Sequence, residues 1–181
     1  MRNYLEFNLN ENIKKDVYNA IKNGDIDIVK KYIDEHEING FSYYGKSLIH
    51  KAVSENKLEI VKFLVENGIN INILDRVSFT PIMTATYDKN YDIMKYLIRV
   101  GANPNIHAMY STILGFVADS SNIDEKGVDI LLGADDIELY LSKDKSKLLF
   151  DLKNINPKFA IKYPKQYKKY LDLKTLDDYN I

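Results

Sequence analysis

The stretch Gly45-Lys46-Ser47-Leu48-Ile49-His50-Lys51-Ala52 leads into Glu59-Ile60-Val61-Lys62-Phe63-Leu64 and then Gly68-Ile69-Asn70-Ile71-Asn72. The same design returns 33 positions later as Ser78-Phe79-Thr80-Pro81-Ile82-Met83-Thr84-Ala85, Asp92-Ile93-Met94-Lys95-Tyr96-Leu97 and Gly101-Ala102-Asn103-Pro104-Asn105. Ala52 pairs with Ala85, Leu64 with Leu97, Gly68 with Gly101 and Asn72 with Asn105, without a gap. A fixed period of this length marks stacked helix–turn–helix units. The architecture is therefore a solenoid, and the prior shifts from enzyme to binding scaffold.

Each unit can be read in physical terms. Ser47 and Thr80 stand where a helix N-cap is wanted, because a hydroxyl there can accept a free N–H of the first turn. Pro81 follows at the first helical position, where its missing N–H costs nothing. The first helix of each pair presents Ile49, Ala52 and Val53, then Ile82 and Ala85, with small alanines that let helices approach closely. The second carries the 3.6-period stripes Ile60, Val61, Leu64, Val65 and Ile93, Met94, Leu97, Ile98. Gly68 and Gly101 suit left-handed helix ends. The Asn70/Asn72 and Asn103/Asn105 pairs begin a turn into a projecting β-hairpin finger.

The pattern decays outward. Upstream, Val17, Ala20, Ile21 and then Ile26, Ile28, Val29, Tyr32, Ile33 read as a helix pair around Gly24-Asp25. Downstream, Thr112 to Ala118 and Val128 to Asp135 read as a further unit. Terminal units must expose a polar face, so atypical ends are expected. The expected units are about 11–38, 39–72, 73–105 and 106–138. They are followed by a helical C-terminal cap over 139–173 and a frayed tail over 174–181.

Over roughly residues 11 to 138 the chain resembles the ankyrin-repeat family, most specifically in its two central units. Thr80-Pro81-Ile82 follows the Thr-Pro-Leu part of that family's hallmark, with Met83 in place of its histidine. Ser47-Leu48-Ile49-His50 keeps the histidine and loses the proline. The resemblance implies an all-α ankyrin solenoid with β-hairpin fingers, closed here by a divergent helical cap. It assigns His50 a structural role in tying adjacent loops. It also implies partner binding through a concave face built from the fingers and the exposed side of each first helix. Carried over by position, that face comprises Phe41, Tyr43, Tyr44, Lys46, Ser54 and Glu55, then Leu74, Arg76, Val77, Phe79, Tyr87 and Asp88. The third, weaker set is His107, Met109, Tyr110, Thr112, Ser120 and Ser121.

Solvated hairpin tips normally carry Asp, Asn, Gly, Lys and Ser. Here they carry Phe41, Tyr43, Tyr44, Phe79, Met109 and Tyr110, with Arg76 between and Tyr87 behind. Aromatics, Met and Arg are enriched at protein interfaces and dominate their binding energy. Tyr43, Tyr44, Phe79, Tyr87 and Tyr110 are the expected anchors, with Arg76 and Glu55 setting orientation.

Composition narrows the function classes. With 45% hydrophobic and 28% charged residues, the 181-residue chain has the make-up of an ordinary globular domain. It has no cysteine, which excludes disulfides, thiolate metal sites and a cysteine nucleophile. His36, His50 and His107 lie far apart, with no carboxylate or second histidine at a ligand spacing, so no metal is expected. No nucleophile elbow or phosphate-cradling loop occurs, and neither catalysis nor a cofactor is expected. The apolar stretches are too short for a signal peptide or membrane span, making the cytoplasm the default compartment, or a host cell for a delivered effector. A monomer is the default state. Lysine outnumbers arginine about seven to one, with abundant Ile, Asn and Tyr, as AT-rich bacterial, viral or parasite genomes encode.

Charge is distributed unevenly. Residues 1–138 hold 15 basic and 21 acidic side chains, and residues 139–181 hold 10 lysines and 5 aspartates. The acidic body would steer a basic protein partner. The segment Lys158 to Tyr170 interleaves lysine with tyrosine, which allows a nucleic-acid adaptor as an alternative. The absence of arginine there serves phosphate recognition poorly. The leading expectation is a non-catalytic protein-binding scaffold, and its narrower form is an inhibitor or immunity protein neutralising an enzyme or toxin.

Overall fold

The computed structural model describes residues 2–107, 112–117, 124–134 and 137, with side chains from residue 11 onward. Its helices in chain order are α1 (Arg2–Asn23), α2 (Ile26–Glu35), α3 (Leu48–Ser54), α4 (Leu58–Glu66), α5 (Pro81–Tyr87), α6 (Tyr91–Arg99), α7 (Ile113–Val117) and α8 (Glu125–Leu132). A single 3-10 turn at Ile38–Gly40 precedes α3. The chain divides into two compact units, Met1–Ala102 and Asn103–Ile181. The expected cap over 139–173, its lysine–tyrosine segment and the tail over 174–181 lie outside the described residues.

In the first unit α1 pairs with α2, α3 with α4 and α5 with α6. Stacking joins the pairs, since α3 packs against α1 and α5, and α4 against α6. The stripes read from the sequence supply the core: Ile60, Val61 and Leu64 on α4, and Ile93, Met94 and Leu97 on α6, are all buried. Ala52 and Ala85 are fully buried where the first helices of the pairs meet. Val17, Ala20 and Ile21 on α1, with Val29 and Tyr32 on α2, continue the core, whereas Ile28 faces outward. Helix α1 runs back to Arg2, well ahead of the unit start expected near residue 11.

Helix ends follow the expected chemistry with one correction. Thr80 caps α5, its hydroxyl accepting the Met83 N–H at 3.4 Å, and Pro81 follows at the first position. The Met83 sulfur in turn accepts the Thr80 N–H, a weak substitute for the polar partner of a capping box. Ser47 occupies the N-cap position of α3 but makes no cap bond, because its hydroxyl is bonded to the His50 ring. Asp25 caps α2 through the Ile28 N–H. Gly68 and Gly101 follow α4 and α6 at φ +82° and +90°, the left-handed region that glycine enters without penalty.

Asparagines tie successive pairs together. Asn39 donates from Nδ2 to the Gly68 carbonyl (3.2 Å) and accepts the Asn70 N–H (2.7 Å). Asn90 donates to the Val53 carbonyl at 2.8 Å, linking the α5–α6 loop to the end of α3. The Asn pairs close Asx turns, with Asn72 N–H donating to Asn70 Oδ1 and Asn105 N–H to Asn103 Oδ1.

In the second unit α7 packs on α8, and Leu114, Val117, Val128, Leu131 and Leu132 are buried. Thr112 accepts the Gly115 N–H at 2.9 Å, and Asp124 caps α8 through the Gly127 N–H. Among the described residues no helix is long and apolar enough to cross a membrane.

Candidate partner-binding face

The first finger is a minimal turn. Tyr43 and Lys46 exchange both backbone hydrogen bonds at 3.1 Å, the pattern of an isolated antiparallel bridge and not of an extended ladder. The two residues between them, Tyr44 at φ +52° and Gly45 at φ +74°, both take positive φ, as a type I′ hairpin turn requires. Asn, Asp and Gly are the usual residues in such turns, since a bulky side chain at positive φ is disfavoured. Tyr44 occupies this site nonetheless, and 72% of it is exposed.

Tyr44 begins an aromatic chain that runs onto the helices. Its ring meets Tyr43 edge-on at 4.4 Å, and Tyr43 meets Tyr18 of α1 edge-on at 5.0 Å. The Lys51 ammonium sits 4.4 Å from the Tyr18 ring centroid and pairs with Glu55 one turn along α3. Burial, and then the Glu55 carboxylate, push the Tyr18 hydroxyl up to about 12.

Asp75 shapes the second finger. Its Oδ1 accepts the N–H groups of Val77 and Phe79, both at 2.9 Å, while its own N–H donates to the Phe79 carbonyl. Leu74 and Val77 are thereby left about half exposed. The two fingers are joined by the Arg76 N–H, which donates to the Gly45 carbonyl at 3.0 Å. A Cβ on Gly45 would lie 2.7 Å from the Arg76 Cβ, so this glycine serves both the turn and the contact between fingers.

His50 anchors the second finger to α3. Its Nε2–H donates to the Phe79 carbonyl (2.9 Å), and its Nδ1 accepts the Ser47 hydroxyl (2.8 Å), an arrangement that fixes the neutral ring. Burial depresses its pKa, and the Phe79 carbonyl opposes that shift. Phe79 then stands 6.3 Å from Tyr87, which is 62% exposed at the end of α5. Burial raises the pKa of the neighbouring Asp88 carboxyl, and Lys46 on the first finger partly offsets the rise.

Most positions expected on this face are therefore linked: Tyr43, Tyr44, Lys46, Glu55, Arg76, Val77, Phe79, Tyr87 and Asp88 lie on the two fingers and the ends of α3 and α5. Phe41 is a correction. It is 2% exposed, turned inward against Tyr32 (5.5 Å) and Tyr18 (6.3 Å), and offers a partner no surface. His36 is exposed, and its ring stacks on Tyr32 at 4.4 Å. His107 keeps its Nδ1 buried. Met109, Tyr110, Ser120 and Ser121 lie outside the described residues. Tyr18, Lys51 and Asp75 were missed from the sequence. In the repeat register Tyr18 stands at the position of His50, 32 residues on, as Gly24 stands to Asn56 and the N-cap residue Asp25 to Lys57, so the register carried no signal for the Tyr18–Lys51 contact.

Comparison with known proteins places the chain. A family model described as "Ankyrin repeats (3 copies)" matches residues 17–108. The chain is 33% identical over 101 residues to Ankyrin repeat and SAM domain-containing protein 6 of Rattus norvegicus, covering 54% of this chain and 11% of that protein. It is 34% identical over 85 residues to Protein phosphatase 1 regulatory subunit 27 of Homo sapiens, covering 46% of this chain and 55% of the relative. Among solved structures it is similar to a chain in the complex of the predatory endopeptidase Bd0816 from Bdellovibrio bacteriovorus with immunity protein Bd3460. There the TM-score is 0.55 and the identity 22%, over 66% of this chain and 63% of that one. The chain thus spans at most about half the length of these two relatives.

Proposed function

Because this chain belongs to the ankyrin-repeat family, whose repeats are protein-interaction modules, we propose that it binds a partner protein through the face formed by its fingers and the ends of α3 and α5. It acts stoichiometrically and carries out no reaction of its own. The observation that carries this reading is Tyr44. A large aromatic held at positive φ in a two-residue turn is unfavourable for folding, and strain of that kind is retained where function needs it. Tyr87, Val77 and Leu74 extend the exposed apolar surface beside it, as interface cores require.

Affinity capture tests this with wild type against Tyr44→Ala/Tyr87→Ala. Both side chains are exposed, so the double variant should melt like wild type. Loss of the captured protein supports the face, and equal capture by both overturns it. A narrower form, an inhibitor or immunity protein, draws support from the fold shared with a chain of an endopeptidase–immunity protein complex. In that case a captured enzyme would lose activity in proportion to added chain, with full inhibition at equimolar amounts.

A further inference from the structure

Arg76 is built differently from Lys51 on the same face. Lys51 is paired with Glu55. The Arg76 stem instead lies across the first finger's turn, where a Cβ on Gly45 would meet its Cβ at 2.7 Å, its Cδ at 3.0 Å and its Cγ at 3.1 Å. Its backbone N–H is fixed on the Gly45 carbonyl at 3.0 Å. Among the described residues no carboxylate lies within 4.0 Å of its guanidinium. The guanidinium is close enough to Tyr18 to favour ionisation of that hydroxyl. Its stem is thus confined while its donors are left unpaired, on the aromatic ridge formed by Tyr18, Tyr43 and Tyr44.

We propose that Arg76 is a preorganised carboxylate receptor, and that the partner protein seats an aspartate or glutamate side chain on it beside Tyr44. The inference rests on the partner-binding reading of this face and adds the chemistry of one contact. A planar guanidinium accepts a carboxylate bidentately. Confining its stem before binding lowers the entropic cost of doing so. Asp75, next in sequence, turns its carboxylate to the Val77 and Phe79 N–H groups of its own finger and makes no ion pair with Arg76. Glu55 is likewise occupied by Lys51.

The test uses the full chain to sort a displayed library of random peptides, in parallel with Arg76→Gln and Tyr87→Ala. Peptides retained by wild type should be enriched in Asp or Glu at one position, and Arg76→Gln should erase that enrichment. For a single retained peptide, Asp→Asn in the peptide and Arg76→Gln in the protein should each weaken binding about tenfold or more. Combining the two should cost little beyond either alone. Arg76 is exposed, so its variant should keep the wild-type melting temperature. Peptides lost with Tyr87→Ala but showing no acidic preference would overturn the receptor and leave the binding face standing. Acidic enrichment surviving Arg76→Gln would do the same. A library yielding no retained peptide would count against both.

Discussion

His50 bonds two segments with one ring: Ser47 at the start of α3 and the Phe79 carbonyl at the base of the second finger. Replacing it with alanine leaves buried polar groups unpaired and opens a cavity. His50→Ala should therefore cost about 2 kcal/mol or more in denaturant melts. The bond also carries a pH signature. The folded ring has a depressed pKa, so below the ordinary histidine value of about 6.5 the unfolded chain takes up a proton first. Stability from this ring is complete above that value and is lost as pH falls through the folded pKa. The wild-type denaturation midpoint should fall on acidification across this range more steeply than that of His50→Gln. At Tyr44 the expected sign is reversed: Tyr44→Asn suits positive φ and should raise stability by up to about 1 kcal/mol while weakening partner capture. A variant both less stable and fully competent to bind would contradict the role given to that turn.

At the scale of elements, the 33-residue register made the helix pairs legible, because apolar spacing and helix-end glycines repeat together at Leu64/Leu97 and Gly68/Gly101. Local chemistry was less legible. Ser47 and Thr80 look equivalent in sequence, yet only Thr80 caps its helix. The difference lies three residues on, where His50 draws the serine hydroxyl away and Met83 cannot. Thr80→Ala should accordingly cost about 1 kcal/mol through the lost cap. Ser47→Ala should act through the histidine and lose most of its effect in a His50→Gln background, a coupling that a double-mutant cycle measures. Leu64→Ala, in the fully buried stripe of α4, should cost about 2–5 kcal/mol by thermal or denaturant unfolding. The inward turn of Phe41 was hidden for another reason. Its neighbours Tyr18 and Tyr32 come from the weakly matching first pair, and only the packed structure brings all three rings together.

Over the whole molecule, charge is partitioned more finely than the acidic body read from the sequence suggests. Residues 1–102 carry 14 acidic and 14 basic side chains, so the acidic excess lies in residues 103–138, with seven acidic residues and one lysine. On the proposed binding mode, aromatic contact would fall to the first segment and long-range attraction of a basic partner to the second. Adding salt should therefore slow association with such a partner while leaving dissociation nearly unchanged. The central claim, that the finger face holds the partner, is tested most directly by site-specific photo-crosslinking. A photoreactive phenylalanine would replace Tyr44 or Tyr87 on this face, and Lys95 on α6 as a control. The face positions should each crosslink one common protein that the α6 position does not. A protein crosslinked from α6 and from neither face position would contradict the claim.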